Sequence, residues 1–310
     1  MKKILLVAIA LMGLAAQAQT TIEVNTKKVG SNIAPTMYGI FFEDINYGAD
    51  GGLYAELVKN RSFEYPQALM GWNTLGGVEV RNDGPFERCP HYVRLSFSGK
   101  RDMATGIENR GHLGMSLHAG QAYRFSLWAR VPQGGEGSLT VVLRNLESQE
   151  ENFAIAQDKI TVNGNEWKKY TVVMKVPNYD VEKASLALWL DGANAVDVEH
   201  VSLFPVETWK GHANGLRKDL ATALADLHPG VMRFPGGCIV EGATLDTRYN
   251  WKNSVGPVEN RPLNETRWNY GRERSHMDYY QSYGLGFFEF FQFCEEIGAE
   301  PLPVLSCGMA

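Results

Sequence analysis

From Ala122 to Val131 every second residue is apolar, so Tyr123, Phe125, Leu127, Ala129 and Val131 share one face of an extended chain. The pattern returns at Leu139, Val141 and Leu143, at Tyr170, Val172, Met174 and Val176, and at Leu186, Leu188 and Leu190. Gly, Asn and Pro turns separate these runs. Residues 72–205 therefore predict an antiparallel β-sandwich, an all-β unit of about 130 residues.

After Pro205 the period changes. Leu216, Leu220, Leu224 and Leu227 recur at helical spacing, and Pro229-Gly230 stops the helix. Val231-Met232-Arg233-Phe234 reads as a short buried strand, followed by a long polar loop from Gly236 to about Tyr283. A second helix carries Phe287, Phe290, Phe291, Cys294 and Ile297 on one stripe and ends at Gly298; Pro301–Leu305 is another short strand. Upstream, YGIFFEDINYG at residues 38–48 places the apolar run Ile40-Phe41-Phe42 directly before Glu43 and Asp44. Strand, helix, strand, helix, strand is the grammar of a parallel α/β sheet, whose strands are apolar because both faces are covered. In a closed α/β barrel the chemistry lies at the carboxyl ends of the strands. Glu43 and Asp44 end the first strand, Arg233 the second, and Ser306-Cys307 the third. On spacing alone Glu43 is equally a solvated acid at a loop edge, Arg233 an ion-pair partner and Gly236-Gly237 a tight turn.

Composition narrows the classes. The chain has 310 residues, 21% charged and 44% hydrophobic, with net charge -5 and no basic cluster, which argues against a nucleic-acid partner. Four widely spaced cysteines, Cys89, Cys238, Cys294 and Cys307, suit neither a disulfide scaffold nor a zinc site. Cys294 falls on the apolar stripe and is expected in the core. Lys2-Lys3, the apolar run Ile4–Ala16 and the small-x-small site Ala16-Gln17-Ala18 predict a signal peptide over residues 1–18. The apolar run is too short to span a bilayer, so a periplasmic or extracellular protein is expected.

YGIFFEDINYGADGGLYAELVKNRSFEYP and, about 170 residues on, VMRFPGGCIVEGATLDTRYNWKNSVGPVENRP together resemble glycoside hydrolase family 51, exo-acting α-L-arabinofuranosidases. HYVRLSF, GQAYRFSLWARV and VEHVSLFP resemble the carbohydrate-binding-like jelly roll inserted after the first barrel strand in many bacterial members. The resemblance implies a (β/α)8 barrel opening over residues 19–66, interrupted by the sandwich at 72–205 and resumed at 206–310. It implies a retaining two-carboxylate mechanism on arabinan or arabinoxylan, without metal or organic cofactor. Carried over residue by residue, Glu43 is similar to the glutamate that binds arabinofuranose hydroxyls, and Arg233 to the arginine that orients the nucleophile. Gly236 and Gly237 let the backbone approach the sugar, Cys238 lines its site, and Trp251 and Trp268 stand where members wall the leaving sugar, or else pin the loop.

One departure matters. The family's acid/base and nucleophile end the fourth and seventh strands, and both are expected beyond Ala310. The α/β portion holds roughly 150 residues where a barrel takes roughly 250. The chain therefore reads as the N-terminal portion of a longer enzyme, with an incomplete barrel, inactive alone, and a homo-oligomer at full length in keeping with the family. Two rivals stay open: a non-catalytic carbohydrate-binding protein relying on Trp128, Trp167 and Trp189, and a barrel exo-glycosidase of other sugar specificity.

Overall fold

In the computed structural model, which describes residues 21–97, 104–148, 154–192, 194–270 and 279–308, the period-two runs are strands. The signal-peptide reading lies outside the described residues. Residues 1–34 and 35–310 are separate units; in the first, the described residues 21–34 contain a turn and no helix or strand. In the second, the strands in chain order are β1 (Gly39–Phe41), β2 (Trp72–Leu75), β3 (Gly77–Arg81), β4 (Tyr92–Ser96) and β5 (Gly106–Asn109). There follow β6 (Ala122–Arg130), β7 (Glu136–Asn145), β8 (Ala154–Asn163), β9 (Lys168–Lys175), β10 (Ala184–Asp191) and β11 (Val196–Pro205). The last are β12 (Val231–Phe234), β13 (Asn264–Glu265), β14 (Tyr280–Gln281) and β15 (Glu300–Pro303). The helices are α1 (Lys218–Ala225), α2 (Cys238–Glu241) and α3 (Phe287–Ile297). No helix among the described residues is long and apolar enough to cross a membrane.

Two five-stranded antiparallel sheets, ordered β2-β5-β10-β7-β8 and β3-β4-β11-β6-β9, face each other. Their inward residues, including Leu95, Phe125, Leu127, Leu139, Val141, Leu186, Leu188 and Val198, form one core. The sequence reading starts the sandwich at Trp72, but Val58 and Phe63 belong to this same core. The Phe63 ring lies 5.3 Å from Trp72, whose indole N–H donates to the Asn60 carbonyl at 3.0 Å.

The α/β portion holds a parallel sheet ordered β1-β12-β15, with Phe41 opposite Arg233 and Arg233 opposite Leu302. Alternation sends Met232 and Phe234 to the side covered by α3, where the Phe234 ring stacks on Phe290 at 4.7 Å and 11°. The expectation that Ile40-Phe41-Phe42 is buried throughout fails at Phe41, which is 53% exposed; Leu302, in the same row, is 51% exposed. Both lie on the side away from α3. Glu300 N donates to the Gly230 carbonyl just before β12 and Val304 N to the Phe234 carbonyl, so Pro301 and Pro303 face the outer edge of β15, which thereby lacks two donors.

The helices depart from their predicted stripes. α1 stops at Ala225, leaving Leu227 beyond it and exposed, and the residue it buries is Ala221 rather than Leu220. In α3, Phe293 is buried and Phe291 is half-exposed, because the covered face turns toward Trp209 rather than solvent. Glu289 is buried on α3 because Arg261 meets it with two parallel bonds of 2.9 Å.

The sandwich and the α/β portion meet across the outer face of the β3-β4-β11-β6-β9 sheet. Glu56 accepts from Ser202 Oγ at 2.5 Å, from Leu203 N at 2.9 Å and from Arg61 at 3.3 Å. Arg88 reaches the Asn260 carbonyl at 2.9 Å and the Asn253 carbonyl at 3.2 Å.

Because Val58 and Phe63 complete the sandwich core, an excised 55–205 segment is expected to unfold cooperatively. An excised 72–205 segment is expected to be less stable by roughly 4 kcal/mol or to fail to fold, since two buried side chains leave cavities. Chemical denaturation of both segments by circular dichroism checks this; equal midpoints would place the folding boundary at Trp72.

Candidate active site

The β1–β12 ladder does not stop where the strands do. Phe42 N donates to the Arg233 carbonyl at 2.8 Å and Asp44 N donates to the Pro235 carbonyl at 2.9 Å. Residues 42–44 thus stay extended beside 233–235, and side chains keep alternating. Phe42 points to α3, its ring 5.3 Å from Phe290. Glu43 points the other way, into the same row of space as Arg233. The two adjacent acids are sent to different environments by one residue of register.

Glu43 Oε1 accepts from Gly237 N and Ile239 N, each at 3.1 Å, so the chain after β12 wraps one carboxylate oxygen. Gly236 has φ 153°, and a Cβ there would stand 2.7 Å from Glu43 Cγ. A Cβ on Gly237 would stand 3.1 Å from the Arg233 guanidinium. Gly236 therefore makes room for Glu43, and Gly237 lies close under the end of the Arg233 side chain. The Arg233 guanidinium lies 4.4 Å from the centroid of the Phe41 ring, its cross-strand neighbour.

Asp44 is buried and accepts from Ala49 N at 3.1 Å, from Gln281 Nε2 at 2.9 Å and from the Tyr279 hydroxyl. Burial pushes its carboxyl up to about 6, with the nearby Asp50 adding to the effect and the hydrogen bonds opposing it. Asp50 accepts from Ser282 N at 2.8 Å and Ser282 Oγ at 2.7 Å. The two aspartates hold the 279–282 segment against the turn that follows β1. Sequence reasoning missed Tyr279, Gln281 and Asp50. Asp44 was visible beside Glu43, but its side-chain partners lie 235 and 237 positions away.

Cys238 opens α2 as an exposed free thiol beside Gly237. Trp251 stacks on Phe287 at 6.0 Å and 27° and stays 40% exposed. Trp268 packs against the α/β core, with its indole N–H buried and without a hydrogen-bond partner. The structure thus brings Glu43, Arg233, Gly236, Gly237 and Cys238 together and uses both tryptophans in packing the long loop. Two other acids of this region have structural partners: Glu241 binds Arg267, and Glu296 accepts from Trp209 at 2.6 Å and also binds His212. Among the described residues no group of three or more His, Cys, Asp or Glu side chains is arranged to hold a metal ion.

Comparison with known proteins gives two family matches: an α-L-arabinofuranosidase 1 domain over residues 223–310 and a carbohydrate-binding domain over residues 55–194. An extracellular exo-α-L-arabinofuranosidase of Streptomyces chartreusis is 40% identical over 92% of the chain, which spans 34% of that relative. α-L-Arabinofuranosidase 1 of Arabidopsis thaliana is 34% identical over 94% of the chain, which spans 43% of it. The arabinose-bound structure of the MgGH51 α-L-arabinofuranosidase superposes with a TM-score of 0.75 at 29% identity, covering 89% of this chain and 45% of that one. The chain therefore spans between a third and a half of the relatives it matches. Sequence and fold together match this chain to the N-terminal portion of the glycoside hydrolase family 51 α-L-arabinofuranosidases, a carbohydrate-binding-type domain included.

Proposed function

We propose that this chain supplies the sugar-binding half of an exported, retaining α-L-arabinofuranosidase that removes terminal arabinofuranosyl residues from arabinan- or arabinoxylan-type polysaccharides. In this reading β1, β12 and β15 open a (β/α)8 barrel, and further strands cover the side on which Phe41 and Leu302 are exposed. The observation that carries it is the placement of Glu43 and Arg233 on neighbouring parallel strands, with one Glu43 oxygen fixed by two backbone amides.

The geometry assigns distinct tasks. Glu43 Oε1 is held by Gly237 and Ile239, which leaves Oε2 to accept from substrate hydroxyls. Because the carboxylate is oriented before the sugar arrives, little ordering entropy is lost on binding. Arg233, seated over Phe41, offers its fork to a carboxylate arriving from a later strand, keeping that nucleophile ionised. The acid/base and the nucleophile belong to the part of the enzyme after Ala310. Asp44 acts one layer behind, keeping the 279–282 wall in place.

Three outcomes are expected. In the full-length enzyme, Glu43→Gln should lower kcat/KM by about one to two powers of ten, the worth of a charge-assisted bond to the sugar. Arg233→Ala should depress kcat and move the acidic limb of the pH–rate profile upward, with little rescue by Arg233→Lys, whose point charge lacks the fork. A folded Arg233→Ala enzyme with normal kcat and an unmoved limb would reduce Arg233 to a structural role. Residues 19–310 alone should not turn over an aryl α-L-arabinofuranoside; turnover above a buffer blank would overturn the placement of both catalytic acids.

Asp44 generates a fourth. Its folded-state value, raised from 3.8 to about 6, means the folded protein holds that proton more tightly than the unfolded chain. The resulting stabilisation is present in full below about pH 4 and is lost as pH rises to about 6. The unfolding free energy of wild type minus that of Asp44→Asn, from chemical denaturation, should therefore fall by roughly 2–3 kcal/mol across pH 4 to 6 and stay level above. A difference independent of pH would mean that Asp44 is ionised throughout.

A further inference from the structure

Two buried acids lie two residues apart on β11, and only one is matched. Asp197 is fully buried and meets Arg94 at 2.6 Å and Arg130 at 2.9 Å. Glu199 is just as buried, yet among the described residues neither carboxyl oxygen is in hydrogen-bond geometry with a donor. His200 follows, also buried, with both ring nitrogens equally unmatched. Trp128, the cross-strand neighbour of Glu199 on β6, buries its indole N–H without a partner as well.

The backbone is irregular at the same place. Between the pairs Glu199–Trp128 and Ser202–Ser126, β11 has two residues where β6 has one. This β-bulge holds His200 at φ 47°, a left-handed conformation uncommon outside glycine. The bulge lies in the seam with the α/β portion. Val201 N donates to the Arg61 carbonyl at 2.8 Å, and Glu259 of the long loop meets Lys169 of β9 at 2.8 Å.

The charged groups that face the pair have partners of their own. Glu64 is bound by His91, Glu259 by Lys169, Arg61 by Glu56, and Arg88 by the Asn260 and Asn253 carbonyls. The Cys89 thiol lies 3.1 Å from the Arg261 carbonyl, and burial pushes it up to about 12, so it stays neutral. An ionised Glu199 beside a neutral His200 would stand uncompensated, and so would a protonated His200 beside a neutral Glu199. Burial pushes the Glu199 carboxyl well above the ordinary carboxylate range, and the Glu64 and Glu259 carboxylates add to it. Burial and the Arg61 guanidinium hold His200 well below the ordinary imidazole range, against the opposing Glu259.

We propose that the Glu199–His200 bulge is a one-proton lock on the seam between the sandwich and the long loop, closed while the pair together carries a single proton. In the open seam both groups are ordinary and change charge near pH 4.5 and 6.5. The open pair then carries two protons below pH 4.5, one between the two values and none above pH 6.5. The closed pair carries one throughout, whichever of the two residues holds it. Taken singly, the Glu199 contribution is full below pH 4.5 and declines as pH rises, while that of His200 is full above pH 6.5 and declines as pH falls. Between those values the two trends cancel, so the seam is firmest in mildly acidic surroundings. Arg261, on the same loop, is tied to the start of α3 by Glu289, so opening the seam loosens the wall of the candidate site. The lock does not depend on the activity proposed above.

Hydrogen exchange of residues 196–205 in the whole chain, read as protection factors over about pH 3.5 to 8.5, tests this, because protection reports how often the seam opens. Wild type should show level protection from pH 4.5 to 6.5 and lose about tenfold per pH unit on either side. Glu199→Gln should move the plateau above pH 6.5, since only His200 then titrates. His200→Asn, which suits a left-handed backbone, should move it below pH 4.5. If one variant fails to fold, the wild-type profile and the other variant still decide. A wild-type profile without the plateau, or a plateau that neither substitution moves, would overturn the lock. Wild-type protection that rises to pH 6.5 and then stays level would also overturn it, since Glu199 would then be ionised in the closed seam.

Discussion

Two backbone hydrogen bonds beyond the formal ends of β1 and β12 organise the candidate site: Phe42 N to the Arg233 carbonyl and Asp44 N to the Pro235 carbonyl. They keep the chain extended, and an extended chain must alternate. Phe42 is committed to the aromatic layer under α3, Glu43 to the row occupied by Arg233, and Asp44 to the buried layer with Tyr279 and Gln281. A slip of one residue would exchange these environments, placing Glu43 against Phe290 and Phe42 among the site's polar groups. The glycine at 236 follows from the same constraint, since Glu43 occupies the space a side chain there would need.

Around this row the protein places its buried charge in pairs with good geometry. Arg261 meets Glu289 through two 2.9 Å bonds and also donates to the Tyr283 and Gly256 carbonyls. One guanidinium thus ties the start of α3 to both arms of the long loop. Arg61 does the same between the sandwich and the α/β portion, paired with Glu56 and donating to the Tyr54 hydroxyl at 2.7 Å. Such pairs contribute little net stability because desolvation cancels much of the attraction, yet removing one partner costs about 3–5 kcal/mol. Their effect is on arrangement: they select one way for the loop and the sandwich to meet the parallel sheet. The sandwich gives up one outer face to that meeting.

The sequence by itself determined the local structure. Period-two runs became strands with the predicted residues inward at Tyr123, Phe125, Leu127, Leu139, Val141, Leu186 and Leu188, because alternation is imposed by backbone geometry and needs no distant partner. The placement of Glu43 and Arg233 at strand ends was legible for the same reason, as was Gly298 ending α3 in the left-handed conformation. Tertiary structure decided whatever depends on which faces are covered and by what. Phe41 is as apolar as Phe42, but only one of them meets α3. Leu220 and Leu227 sit at helical spacing, yet both are exposed, and Ala221 is the residue α1 buries. Trp128, Trp167 and Trp189 look alike in the sequence, yet Trp128 meets Phe86 and Trp167 meets Tyr92 edge-on, while Trp189 lies over Gly106. Asp44 became a buried latch through partners more than 230 positions away, a contact that no local pattern encodes because it is made only when the chain has closed.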